Sequence, residues 1–380
     1  EGTVFETKTG EVTVDVEEFF LLAKALRPLP EKWHGLKDKE LRYRRRYLDL
    51  IMAPESREVF ADRMSIIRSM RRVLDSKGFV EVETPTLQPL YGGALAAPFK
   101  THHNALDIDV YLRIADELYL KRLIVGGLER VYEFGKDFRN EGIDSYHYPE
   151  FLQLEAYQAY ADYNDIMDLV EEMVLAAVAE VRGKSRITYL DTEADFKRPW
   201  ARLSFFAAIS KELRADVRAM GREELVKVCK RLDIDVSENA GKGKLLDSIF
   251  GKTVQPKIVN PTFVVDYPKE ISPLAKEKRG DPDLVERFEP IICGIEIGNA
   301  FSELTDPLEQ RLRFEEQQRM RMEGDREAQE LDEEFLTALE YGMPPTGGLG
   351  LGIDRLTMII CNRRSIRDVI MFPQLRPQGS

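Results

Sequence analysis

The run FRNEGIDSYHYPEF, residues 138–151, concentrates residue types suited to holding a nucleotide beside a second, cationic small molecule. On a strand, residues two apart share a face. Arg139 and Glu141 are therefore expected to point one way. Phe151, Gln153, Glu155 and Tyr157 are expected to share a face of a returning strand, with residues 142–149 as the hairpin loop. One face of such a hairpin carries a fixed cation, a carboxylate that can read a base edge, an aromatic plate and another carboxylate.

A second group of acids lies towards the C-terminus. Glu289 and Glu296 are seven apart, which on one continuous strand puts them on opposite faces. A turn at Gly294 makes them neighbours on adjacent strands instead, and two convergent carboxylates there would suit Mg²⁺ completed by substrate phosphates. Either acid alone reads as a surface acid. Asn299, Phe301 and Glu303 share a face, whereas Glu296 has the other parity, so its pointing inward calls for a bulge, which Gly298 permits. In GGLGLGIDR, Gly347, Gly348, Gly350 and Gly352 line a strand that runs into a helix begun near Arg355. The glycines read equally as room for a substrate against bare backbone and as tight helix–sheet packing.

The elements that must position these residues follow from periodicity. Residues 1–25 alternate apolar and polar about the turn at Lys8–Thr9–Gly10, a β-hairpin that two strands alone would hold only marginally. Residues 26–35 read as a linker. A helix is expected over 54–76 with Gly78 past its end, then a strand over 79–83 stopped by Pro85. Further helices are expected over 117–126, 164–181 and 306–329. Residues 198–283 are rich in helix formers and charge and read as a helical insertion. Residues 286–304 read as two strands turning near Gly294. The class is α+β, an antiparallel sheet flanked by helices.

Composition narrows the function. The 380 residues are 43% hydrophobic and 9% aromatic, which suits a sizeable core. No apolar run reaches the length of a membrane helix, and the N-terminus lacks a signal-peptide pattern. A net charge of −12 argues against a general nucleic-acid coat. The run RYRRRYLDL, with Arg42, Arg44, Arg45 and Arg46, reads equally as a phosphate grip and as a solvated or subunit-contact surface. Cys229, Cys293 and Cys361 lack metal-ligand spacing and fit a reducing, cytoplasmic setting, each as a small buried hydrophobe. His102 and His103 have no cysteine pair or HExxH beside them, so zinc is not expected.

These segments, taken together and in order, resemble a known family. FRNEGIDSYHYPEF resembles motif 2 of the class II aminoacyl-tRNA synthetases, GLGLGIDR their motif 3 and GFVEVETP their motif 1. GGALAAPFKTHHNALDIDVYLRIADELYLKRLIVGG, IEIGNAFSEL and ALEYGMPPTGGLGLGIDR are similar to the class II lysyl-tRNA synthetases in particular. The resemblance implies a catalytic domain over residues 51–380, a linker over 26–50, and, in residues 1–25, the end of an OB-fold anticodon-binding domain whose remainder the chain does not contain.

It also implies a reaction, in which lysine and ATP give lysyl-adenylate and pyrophosphate, and the lysyl group then passes to the 3′ end of tRNA(Lys). The crowding of negative oxygens calls for supplied positive charge and positioning. By resemblance Arg139 holds the lysine carboxylate and α-phosphate, Glu141 and Phe151 hold adenine, His147 and Arg355 hold the terminal phosphates, and Glu289 and Glu296 carry Mg²⁺. Gly93 and Glu117 meet the α-amino group, and Glu155, Tyr157, Asn299, Phe301 and Glu303 line the rest, with Glu303 and Tyr157 nearest the ε-ammonium. No general base is demanded, since the attacking carboxylate is already ionised. A homodimer through motif 1 is implied as well.

Two alternatives remain at this stage: a related ligase that attaches a lysine-type group to a protein lysine, and a non-catalytic regulatory relative. The second would be marked by loss of Arg139, Arg355 or the acidic pair, all of which are present. The chain departs from the family pattern at Ala97, Tyr148 and Thr305, none of them a named catalytic group.

Overall fold

The computed structural model describes residues 1–30, 38–237, 240–322 and 330–377. The chain divides into two units, Glu1–Pro54 with Leu375–Ser380, and Glu55–Gln374. The first contains the antiparallel hairpin Gly2–Glu6 and Val12–Val16, turning where expected, and two short helices, Lys39–Arg44 and Arg46–Met52. Part of the expected linker, residues 31–35, lies outside the described residues.

The second unit is built on one mixed sheet. Its strands run in the order Ala201–Ser204, Thr262–Val265, Arg287–Ile292, Gly298–Ser302, Thr346–Gly352, Glu150–Ala159, Arg130–Phe138 and Val80–Glu81, with Ile295–Glu296 paired to Arg287–Ile292. The pairs at the two edges are parallel and the inner pairs antiparallel. One face is covered by helices Pro54–Ser76, Tyr163–Arg182 and Ile353–Ile360, whose Ile66, Met70, Ile166, Val170 and Leu356 pack with Leu154, Ala156, Leu349 and Leu351 of the sheet. The other face carries Tyr157 and Phe301 among a second apolar cluster supplied by later helices.

Local signals explain most boundaries. The helix Pro54–Ser76 starts at a proline and ends before Gly78, whose φ of +76° is a left-handed conformation open to glycine at no steric cost. Tyr163–Arg182 is held by a capping box between Asp162 and Asp165 and stopped by Gly183.

Two expectations need correction. The strand expected over 79–83 is only Val80–Glu81, because Thr84 leaves the ladder to give both its N–H and its hydroxyl to the Glu133 carboxylate. The segment 198–283 is not wholly helical. Its helices span Phe205–Leu213, Arg222–Arg231 and Lys242–Thr253, and the short apolar run Thr262–Val265 joins the sheet beside Ala201–Ser204. The charged helix after Asp306 spans Pro307–Met322, and the remainder of its expected length lies outside the described residues.

Candidate active site

The floor of the site follows from register across three central strands. Asn299 stands opposite Gly350 and Gly350 opposite Glu155, while Phe301 stands opposite Gly348 and Gly348 opposite Tyr157. Side chains from two strands thus meet over bare backbone between them. A Cβ on Gly348 would lie 1.9 Å from Glu303 Oε1 and 2.6 Å from the Tyr157 ring, and one on Gly350 would lie 2.7 Å from Gln153 Nε2. On the opposite face a Cβ on Gly347 would lie 2.6 Å from Ile166 Cγ1. The glycine at 347 thus makes room for helix packing, and those at 348 and 350 make room for side chains that line the cavity.

Above this floor lies a cavity of about 390 Å³. All the expected site residues line it: Gly93, Glu117, Arg139, Glu141, His147, Phe151, Glu155, Tyr157, Glu289, Glu296, Asn299, Phe301, Glu303 and Arg355. Two residues that sequence reasoning passed over complete its wall or back it, Arg287 and Lys121.

One end is buried and acidic. Glu155 accepts from Tyr157 Oη at 2.9 Å, from Gln153 Nε2 at 2.8 Å and from the Asp116 N–H at 3.3 Å. Burial, then the charges of Asp116 and Glu117, push its carboxyl well above the usual range. Burial likewise raises Glu303, against the pull of Lys121. Lys121 is fully buried, and its ammonium contacts Glu117 Oε1 at 2.5 Å and also Glu303. Burial works against that charge, but the two carboxylates prevail and hold it above the ordinary lysine value. Gly93, at φ +85°, lies over this end, where a Cβ would be 3.0 Å from Glu117 Cβ.

The other end is open. The strand Arg130–Phe138 stops one residue before Arg139, so the expected in-strand parity of Arg139 and Glu141 does not hold, and the loop runs over 139–149. Phe138 pairs with Glu150, Arg139 N–H bonds the Pro149 carbonyl, and Pro149 has no N–H with which to continue the ladder. A tight turn follows, from Glu141 N–H to Arg139 O at 2.8 Å, and leaves Glu141 exposed. The Arg139 guanidinium lies 4.9 Å from the Phe151 ring centroid. His147 is exposed and pairs with Asp144 at 2.7 Å. Arg355 reaches the Glu296 carbonyl at 2.9 Å and its carboxylate at 3.1 Å. Tyr148, one of the departures from the family pattern, lines the cavity, is largely buried and accepts the Gln374 N–H.

The acidic pair sits between the ends. Ile291 opposes Glu296, whereas Phe288 opposes Ala300, so between these pairs two residues on one strand face three on the other. That extra residue is the bulge the parity of Glu296 requires. Glu289 accepts from Tyr267 Oη and Arg287 Nη2, both at 2.6 Å. Burial pushes its carboxyl up to about 7, with Arg287 opposing and Glu296 adding to the rise. Two mutually repelling carboxylates at the cavity wall fit a divalent cation completed by ligand oxygens. No group of three or more metal-ligating side chains occurs among the described residues, so the pair is no ready-made cage.

A largely antiparallel sheet flanked by helices, a glycine-floored cavity and arginines at its mouth define a class II synthetase domain. The family model for class II tRNA synthetases (D, K and N) matches residues 38–376, and the chain belongs to that family. Its curated relatives include the lysine–tRNA ligase of Moorella thermoacetica, 55% identical over 99% of this chain and 77% of the relative. Those of Pelotomaculum thermopropionicum (55% identical, 100% and 75%) and Carboxydothermus hydrogenoformans (53%, 99% and 78%) are similar to the same extent.

Proposed function

We infer that the cavity is the place where this chain, a lysine–tRNA ligase, joins lysine to ATP before transfer to tRNA(Lys). The observation that carries the reading is the buried end, where Glu117, Glu155 and Glu303 converge under Tyr157. A substrate with two ammonium groups needs carboxylates, and a shorter or neutral side chain leaves buried acids unpaired. Glu117 and Gly93 hold the α-ammonium, and Glu303, Tyr157 and Glu155 receive the ε-ammonium beside Asn299 and Phe301.

The lysine carboxylate then faces the open end. Its oxygen attacks the α-phosphorus, a C–O–P bond forms, and the bond to pyrophosphate breaks. Arg139 spans the carboxylate and α-phosphate, for which a planar, permanently charged guanidinium is suited. Glu141 accepts from the adenine amino group, Phe151 stacks on the ring, and His147 and Arg355 hold the terminal phosphates. Glu289 and Glu296 hold Mg²⁺, which when bound neutralises charge on the pyrophosphate portion.

Several further features are proposed with it. The edge strand Val80–Glu81 exposes Val80, with Leu87 and Leu90 exposed further along, which supports a homodimer contact. The hairpin exposes Val4, Phe5, Val12 and Val14, side chains that the rest of an OB-fold would cover. Three free thiols support a cytoplasmic setting, and no helix among the described residues is long and apolar enough to cross a membrane.

The test is ATP–pyrophosphate exchange with Mg²⁺, amino acid by amino acid and without tRNA. Exchange with lysine alone is expected. Exchange with none, or with a neutral amino acid, would overturn the assignment of this cavity.

A further inference from the structure

The two carboxylates assigned to the two ends of the substrate are already bridged by an ammonium of the protein itself. Lys121 lies one helical turn after Glu117 on the helix Glu117–Val125, so both side chains leave the same helix face. Its Nζ touches Glu117 and Glu303 and lies 5.3 Å from the Phe301 ring centroid and 5.9 Å from that of Phe335. Glu303 is 1% exposed, and among the described residues no hydrogen-bond donor other than this ammonium reaches either of its oxygens. Its remaining lone pairs therefore have the cavity as their outlet.

A charge count makes the arrangement informative. Glu117, Glu155 and Glu303 supply three negative charges when ionised, and Lys121 cancels one. The two left over equal the two ammonium groups of free lysine. The same ammonium also ties Glu117 on a helix to Glu303, one residue past the strand Gly298–Ser302, so the acids cannot drift to follow a shorter diamine.

We propose that Lys121 is a specificity-determining positioning residue: an internal ammonium that fixes the separation and net charge of Glu117 and Glu303, so that the pocket selects lysine over shorter diamino acids. This rests on the reading of the cavity as the lysine site.

The experiment compares wild type, Lys121→Met and Lys121→Ala in ATP–pyrophosphate exchange with lysine and with ornithine. In Lys121→Met the KM for lysine is expected to rise at least tenfold. The preference for lysine over ornithine in kcat/KM should fall at least tenfold, with the KM for ATP unchanged. In Lys121→Ala, n-propylammonium replaces the deleted atoms and is expected to restore the lysine preference, while it inhibits or leaves unaffected the wild type. If the methionine variant does not fold, the alanine variant prepared in n-propylammonium carries the test.

An unchanged lysine-to-ornithine ratio, or an equal loss for both amino acids with the KM for ATP also raised, would reduce Lys121 to a packing role and overturn the inference alone. Absence of lysine-dependent exchange in the wild type would remove the reading of the site, and the inference with it.

Discussion

At one end of the cavity Glu117 and Lys121 are buried on a helix, Glu155 and Tyr157 on a paired strand, and Glu303 just past the end of another. At the other, Glu141 and His147 are exposed on a loop, and Arg139 and Arg355 reach largely backbone carbonyls. The buried end has its acids placed before any ligand arrives, and it can discriminate because a wrong ligand leaves desolvated acids unsatisfied. The open end has ionised donors already partly solvated, whose worth rises only when a triphosphate excludes water. Selectivity is therefore expected to reside at the first end and rate at the second.

The strongest way to break that division is Arg139→Ala. Deleting a donor aimed at developing charge removes roughly 10²–10³-fold in turnover, and here the loss is expected to be at least that, seen in lysine-dependent exchange. A near-normal rate would mean that the open end is misassigned. Glu303→Gln acts on the other side of the comparison. Truncating one partner of a buried charge pair costs about 2–5 kcal/mol, so the KM for lysine should rise on the order of 100-fold with a smaller change in kcat. An unchanged KM would place the ε-ammonium elsewhere.

Tyr148→Phe is a gentler probe of the open end. Tyr148 ties the loop 139–149 to the backbone of Gln374, and other bonds anchor it too, among them Ile366 N–H to Ser145 O and Asn140 N–H to Ala97 O. Losing one neutral hydrogen bond is worth about 1 kcal/mol. A rise of a few-fold in the KM for ATP is expected, with the KM for lysine unmoved, as steady-state exchange would show. A change confined to lysine would contradict the separation of the two ends.

What was legible in the sequence tracks where strand parity could operate. Gln153, Glu155 and Tyr157, and Asn299 and Phe301, lie within strands and share faces as the period of two requires. The bulge was legible because Glu296 had the wrong parity for a continuous strand. Arg139 and Glu141 lay just past the ladder's end, where the period no longer applies. Lys121 had a local signal, the four-residue spacing from Glu117, but on an amphipathic helix a lysine reads first as solvated. Arg287 shares parity with Glu289 and was equally within reach. The strand Thr262–Val265 was masked by the charged, helix-rich residues before it. Asp116 and Asp137 offered no signal at all, since helix cap, strand and Arg113 meet only in three dimensions.

That last cluster lies behind the buried end and yields the smallest effect. Arg113 pairs with Asp116 at 2.8 Å and Glu133 at 2.7 Å, with Asp137 at 3.6 Å, so one guanidinium serves three buried carboxylates. Gly135 leaves the space for it, since a Cβ there would lie 2.1 Å from Arg113 Nη2. Burial, then the neighbouring charge of Asp137, pushes Asp116 up to about 9. Burial, then the charge of Glu155, pushes Asp137 up to about 8. Both lie above the unfolded value, so the folded chain keeps protons that the unfolded chain releases. The stability they contribute is fully present below about pH 4 and is lost as pH rises through 8 to 9. In Asp137→Asn the site has no proton to lose. The Tm of this variant relative to wild type should therefore climb between pH 6 and pH 9, by about 2 °C for each kcal/mol that deprotonation costs the wild type. Thermal denaturation at the two pH values checks it. A difference that stays constant, or that shrinks with rising pH, would mean that Asp137 is ionised in the folded protein and that the buried end is not overloaded with acid.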